Sequence, residues 1–230
     1  MTKQNKTKQE VIIKMETEYK FMKRKTFYPF PVYEFNLPSG WSCPFANECK
    51  VCVDRITGKF NRIGNKFRCY ASSSERFPNV RKARWHNFDL VKKGIKIEIP
   101  KDATHIRIHG SGDFFTQWYF DEWLEIAIKN PKVRFWAFTK SVQFWVNRLD
   151  KIPTNLILQA SKGGFQDDLI EKHDLKFAEV FLDIKDVPEG MKIDVDDTLA
   201  MNGNESFALL DNFKYKKSAT PKIKLNTTTK

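Results

Sequence analysis

The sequence predicts an α/β protein built from parallel β-α units, with a cysteine-bearing loop after the first strand. Three observations carry this expectation. Apolar runs with strand alternation recur between segments of helical period, and turn residues separate them. The chain has 230 residues, which suits one domain of ordinary α/β size. Its 20 Phe, 6 Trp and 6 Tyr supply enough buriable surface to exclude wholesale disorder.

Taken in order, VYEFNLPSG (32–40) has strand composition and ends in a Pro/Ser/Gly turn. The loop SCPFANECKVC follows, and TGKFNRIGNKFRCYA then reads as a small hairpin. Residues 80–93 read as a helix with a weak inner face. In THIRIHGSGD, Ile106 and Ile108 alternate with Arg107 and His109, a short strand entering a Gly-rich turn. TQWYFDEWLEIAIKNP (116–131) is the clearest helix, with Thr116 as N-cap and Phe120, Trp123, Leu124, Ala127 and Ile128 on one face. The pattern repeats as strand 133–140, helix 141–152 capped by Ser141, strand 155–164, helix 165–175 and strand 177–183. Beyond 184 the short stretches IDVDD and ESFALL have strand composition.

Charge divides the chain into three parts. Residues 1–26 carry eight Lys/Arg and three acids and read as a basic N-terminal extension. Residues 212–230 carry six Lys and no acid and read as a lysine-rich tail. Residues 27–211 between them are taken as the single metal-binding α/β domain. Such tails are solvated ends or attract nucleic acid through counterion release. Within the domain, 50–96 holds 13 basic and three acidic side chains, which suits an anionic small molecule or nucleic acid as partner. No apolar run is long enough to span a membrane, so no membrane role is expected. The N-terminus lacks signal-peptide features, which points to a reducing cytoplasm. There, cysteines bind metal more readily than they form disulfides.

The four cysteines lie within 27 residues, as Cys43-x5-Cys49-x2-Cys52 with Cys69 after 16 more. Four thiolates could close a structural zinc site. Alternatively, Cys43, Cys49 and Cys52 could hold three irons of a [4Fe–4S] cluster, with Cys69 a fourth ligand or a bystander. In parallel α/β folds, ligands gather beyond the carboxyl ends of the strands. The cysteines, Gly110-Ser111-Gly112-Asp113, Thr139-Lys140 and Gln159 to Gly164 all fall there, so four motifs face one mouth. Asp113 could cap the following helix or bind an amine, and His109 could be a core histidine or a proton donor. Lys140 could point to solvent or bind an anion, and the turn around Ser161 suits close backbone approach to a ligand. No Ser-His-Asp order or His-Glu-x-x-His motif appears, so hydrolase and zinc-peptidase chemistry has no support.

The stretches CPFANEC, FRCYASSSERFPNVRKARWHN, IRIHGSGDFFTQWYFDEWLEIAIKNPKVRFWAFTKS and IPTNLILQASKGGFQDDLIEKHDL resemble the phage and plasmid gene product 88 family over roughly 38–175. That resemblance implies a mobile-element protein in a bacterial host cytoplasm and brings no settled activity. A fainter likeness is to radical S-adenosylmethionine enzymes, which place a three-cysteine loop after the first barrel strand and a Gly-Gly-Glu turn after the second. It implies a partial (βα) barrel of TIM type, a [4Fe–4S] cluster on Cys43, Cys49 and Cys52, and S-adenosylmethionine as cofactor. Gly110, Ser111, Gly112 and Asp113 would orient the methionyl moiety, with Lys140 and Ser161 sharing the mouth. The usual spacing is x3-x2 with Glu in the turn, whereas this chain has x5-x2, Asp113 and a fourth cysteine.

Overall fold

A computed structural model describes residues 17–24, 28–62 and 69–211. Among the described residues nine strands form two sheets. The larger runs in the order β1 (Phe21–Arg24), β2 (Val32–Phe35), β5 (His105–Ile108), β6 (Arg134–Thr139), β7 (Leu156–Ser161), β8 (Phe177–Phe181) and β9 (Phe207–Leu210). β1 pairs antiparallel with β2, and every later pairing is parallel. From β2 onward, each strand of this sheet lies beside the next one in sequence, the arrangement expected of successive β-α units. β1 and β9 are its edges, so the sheet is mostly parallel and open. The smaller sheet is a hairpin of β3 (Val51–Val53) and β4 (Phe60–Arg62), inserted between β2 and β5.

Helices α1 (Pro78–Lys92), α2 (Gln117–Lys129), α3 (Val142–Val146) and α4 (Asp168–Lys172) cover one face of the large sheet. Strand register explains how that face closes. Tyr33, Ile106, Phe135 and Leu156 form one row across four strands, and Phe35, Ile108, Ala137 and Leu158 form the next. Trp123 of α2 is fully buried over these rows, with its ring 5.2 Å from Phe35 and 6.4 Å from Phe135. The opposite face buries Val32, Trp136, Ala178 and Phe207 under Ala200 and Met201 of α5 (Thr198–Asn202). Among the described residues no helix is long and apolar enough to cross a membrane.

Several elements differ from the sequence expectation. Phe21–Arg24, inside the basic extension, is a strand of the sheet, so the domain begins before residue 27. The helix expected over 141–152 is split into α3 and a 3-10 turn at Leu149–Lys151. Ser141 does not cap it, because its hydroxyl donates to Phe114 O at 2.5 Å. α4 spans five residues of the expected eleven. IDVDD forms only an isolated bridge from Ile193 to Ala208, while ESFALL contains β9. By contrast, Thr116 caps α2 as expected, accepting from Tyr119 N at 3.4 Å. The tail expected at 212–230 lies outside the described residues.

Candidate functional site

Two arms of chain carry the cysteines to the carboxyl ends of the parallel strands. The first leaves β2 through a turn at Gly40, whose φ of +72° suits glycine. A Cβ there would lie 2.4 Å from Val51 O and 2.8 Å from Cys52 Sγ, so the turn packs directly on β3. Beyond Cys43 the chain is strapped to the turn that follows β7. Asn47 N and Glu48 N donate to Gly163 O at 3.3 and 3.0 Å, and Phe165 N donates to Phe45 O at 2.9 Å. Ala46 and Gly164 form an antiparallel bridge within this strap.

The second arm begins at Cys69 and enters the 3-10 turn Ala71–Arg76. Ser72 Oγ donates to Cys69 O at 2.8 Å, which fixes the first residue of the arm. Tyr70 donates its hydroxyl to Gly110 O at 2.8 Å and accepts from Arg107 Nη2 at 2.9 Å. Glu75, fully buried, accepts from Arg84 Nη1 at 2.8 Å and from Ser39 N at 2.7 Å. One carboxylate therefore ties the second arm to α1 and to the start of the first arm.

The turn Gly110–Asp113 receives both arms. Leu37 N donates to Ser111 O at 2.9 Å, and Tyr70 reaches Gly110 O. Gly112 has φ of +90°, and a Cβ there would lie 2.6 Å from Ser42 Oγ. Protein atoms therefore pack closely against Gly112 itself. Ser111 is buried, with its hydroxyl 3.5 Å from Glu75 Oε1. Asp113 caps no helix. Its Oδ1 accepts from Thr139 Oγ1 at 2.6 Å and Phe114 N at 2.7 Å, and its Oδ2 accepts from Lys140 N at 2.8 Å. Burial outweighs these bonds and pushes its carboxyl up to about 6.

Lys140 does not point to solvent. It is buried, and its ammonium donates to Ser161 O at 2.8 Å, Ser161 Oγ at 2.7 Å and Lys162 O at 2.5 Å. All three acceptors are neutral, and Lys140 forms no ion pair among the described residues. Its ammonium contacts are to dipoles, and the Asp113 carboxyl acts on it through charge.

All four cysteines are free thiols. Burial raises the Cys43 thiol well above its ordinary range, and Asp113, Cys69 and Cys49 raise it further. Burial pushes Cys69 up to about 11, with Cys49 adding to the shift. Cys49 is raised by burial and pulled back by the Lys140 charge. Burial also raises Cys52, but the charges acting on it are Lys50 and Glu75, with no other thiol among them. Among the described residues no three His, Cys, Asp or Glu side chains converge tightly enough to hold a single ion. Cys43, Cys49 and Cys69 thus act on one another, Cys52 and Cys69 both feel Glu75, and the Cys52 sulfur lies against the Gly40 turn that leads to Cys43.

His109 lies outside this group. Its φ is +64°, and its ring turns into the helix-covered core, Nε2 lying 2.8 Å from Tyr119 Oη. Sequence reasoning gave no role to Tyr70, Glu75 or Arg107, the residues that hold the second arm. The adjacent signal was Cys69-Tyr70-Ala71, in which the cysteine directly precedes its own anchor.

A cleft of about 350 Å³ beside the first strap is lined by Glu48, Asp167, Asp168, Glu171 and Glu179 with Lys162, a field that repels anions. A second, of about 180 Å³, is lined by Arg55, Lys82, Trp85, His86 and Asp89.

The decisive comparison is with protein families: the family model described as Gene product 88 matches residues 2–224. The chain belongs to the gene product 88 family. It is 31% identical over 143 residues to the Gene 88 protein of Mycobacterium phage L5, an alignment covering 50% of this chain and 52% of the phage protein. The chain thus spans about half the length of that curated relative. No solved structure matches the chain. Membership of the gene product 88 family agrees with the resemblance carried by the CPFANEC and SGDFF stretches.

Proposed function

We propose that this gene product 88 protein is an iron–sulfur protein of a phage or plasmid, working in the host cytoplasm. In this reading its parallel sheet is a partial (βα) barrel, and its mouth resembles that of radical S-adenosylmethionine enzymes. The observation that carries the reading is Lys140, a buried ammonium with neutral acceptors only, beside Cys49 at the carboxyl ends of β6 and β7. An anionic thiolate cluster would add to the negative charge that Asp113 can set beside this cation.

Thiolates are the donors such a group takes, and Cys43, Cys49 and Cys69 act on one another electrostatically near the strand ends. A bound cluster supplies one-electron chemistry toward a ligand such as S-adenosylmethionine, and the protein supplies position and field. The Gly110–Asp113 turn fixes both cysteine arms, and Lys140 offsets cluster charge while tying β6 to the turn after β7.

Protein purified without oxygen is expected to be brown and to carry iron and acid-labile sulfide in equal amounts. A colourless protein with one tightly held zinc and no sulfide defeats the proposal.

A second reading, a zinc-holding nucleic-acid binder without catalysis, draws on a different face. There Arg55 lies 4.9 Å from the Trp85 ring, and the Trp41 ring lies 5.8 Å from Trp85 at a tilt of 57°, with Trp41 53% exposed. Aromatic rings beside cations form a platform for single-stranded bases. If this reading holds, Trp85→Ala weakens oligonucleotide binding roughly tenfold, the equivalent of about one stacked base, in a fluorescence titration. Unchanged affinity removes the support for it.

A further inference from the structure

Trp41, on the turn that leaves β2, is 53% exposed, and Trp118, near the start of α2, is 47% exposed. Single exposed rings need no explanation, but these two end one unbroken strip. Trp41 lies 5.8 Å from Trp85, Trp85 lies 5.8 Å from Phe88, Phe88 lies 5.0 Å from Phe115, and Phe115 lies 5.8 Å from Trp118. Trp85 and Phe88 stand three residues apart on α1, so they share a side of that helix. Trp41 is held in place by its indole Nε1, which donates to Val53 O at 2.9 Å. The strip therefore runs from the β3–β4 hairpin over α1 to the start of α2. Phe88, buried, and Phe115, half-buried, are its floor, and the two exposed indoles are its ends.

Cations are set along the α1 half. The Arg55 guanidinium lies 4.9 Å from the Trp85 ring, and Lys92 Nζ lies 5.1 Å from the Phe88 ring. Lys82 joins Arg55, Trp85, His86 and Asp89 around the cleft of about 180 Å³. Asp89 is paired with Arg55 at 2.6 Å, so Lys82 and Lys92 carry the positive charge that remains there. The Trp118 half differs: α2 continues with Asp121, Glu122 and Glu125, so that end offers a ring without phosphate-binding charge. A polyanion that also carries flat apolar faces fits both halves, with phosphates at the lysines and bases at the rings. A duplex hides those faces in its own stack, and an acidic peptide leaves the indoles uncovered.

We propose that the strip from Trp41 to Trp118 is a track for single-stranded nucleic acid, with phosphates held on the α1 side and a base stacked on Trp118. This deepens the second reading above, on which it rests, and needs none of its zinc.

The test measures fluorescence anisotropy of a labelled oligothymidylate of about sixteen nucleotides, alone and as its duplex with oligoadenylate, titrated with the full chain over a range of salt. Wild type is expected to prefer the single strand. Trp118→Ala should weaken binding roughly tenfold, with the salt dependence unchanged, and Trp118→Phe should restore most of it. Lys92→Gln should flatten the slope of log affinity against log salt by about 0.7, one phosphate contact on a single strand. The lysines of 212–230 add to the slope in every variant, so the differences between variants belong to the track. Circular dichroism is the folding control. Trp118→Ala binding like wild type while Trp85→Ala is weakened overturns the track and leaves the platform at Trp85 standing. If neither substitution weakens binding, or wild type does not bind, the platform falls with the track. Equal affinity for the duplex overturns the single-stranded assignment, and an unchanged slope in Lys92→Gln overturns the placing of the phosphates.

Discussion

Replacing Glu75 by alanine is expected to cost about 3–5 kcal/mol of unfolding free energy, because it strands a buried guanidinium. Arg84 is 7% exposed and donates to Glu75 Oε1, Ala71 O and Ser74 Oγ, each at 2.8 Å. Two of these acceptors are neutral, so the carboxylate is the partner that offsets the charge. Truncation also leaves Ser39 N without its acceptor. Glu75→Gln keeps an acceptor oxygen and removes the charge, so it should fall between wild type and alanine. The double replacement Glu75→Met with Arg84→Met should recover most of the loss, since it removes both buried charges together. Urea unfolding of the four proteins decides it. A loss below about 1 kcal/mol for Glu75→Ala would mean that water reaches Arg84. The effect reaches the candidate site as well, because the same oxygen joins the Cys69 arm to the start of the Cys43 arm.

The large sheet was legible where local pattern and tertiary demand coincide. Ile106 and Ile108 alternate in sequence and fall into two core rows in space. The apolar face of 116–131 and its Thr116 cap likewise mark α2. β1 was hidden because its visible signal is charge. Phe21 packs on the core while Met22 and Lys23 face water, so an edge strand reads as part of a basic leader. α4 starts late for a tertiary reason: Gly163 N and Gly164 N donate to the Asp167 carboxylate, holding that stretch as a turn. At the candidate site, a spacing pattern shows four cysteines but not what each is tied to. Cys52 and Cys69 have equal standing in a spacing pattern, and only the hairpin and the Tyr70 anchor distinguish them. Nor could composition show that Lys140 turns inward, since its acceptors Ser161 and Lys162 come from the neighbouring strand and the turn beyond it.

His109 and Asp113 should make stability depend on pH in opposite directions, an opposition visible only in variants. His109 is buried against Phe114 and Tyr119, and burial lowers its pKa from 6.5 to about 3. Its neutral form is the one the fold accepts. This contribution is therefore complete above the unfolded value of 6.5 and is lost as pH falls toward 3. At about pH 5 the loss is about 2 kcal/mol. Asp113 works the other way. Its carboxyl is raised from 3.8 to about 6, so its contribution is complete below 3.8 and is lost as pH rises through 6. Between about pH 7 and 5 it returns roughly 1 kcal/mol, leaving wild type with a shallow net loss from this pair. His109→Asn keeps a residue that tolerates positive φ and removes the imidazole. Its stability relative to wild type should improve by about 2 kcal/mol on acidification over that range, while Asp113→Asn should worsen by roughly 1 kcal/mol. Chemical unfolding at the two pH values reads both slopes, and common groups such as Asp194 and Glu122 cancel in each comparison. Parallel slopes for wild type and His109→Asn would mean that the imidazole gains a proton inside the fold. The unpartnered Nδ1 would then have to find an acceptor, and Nε2 would donate to the Tyr119 hydroxyl.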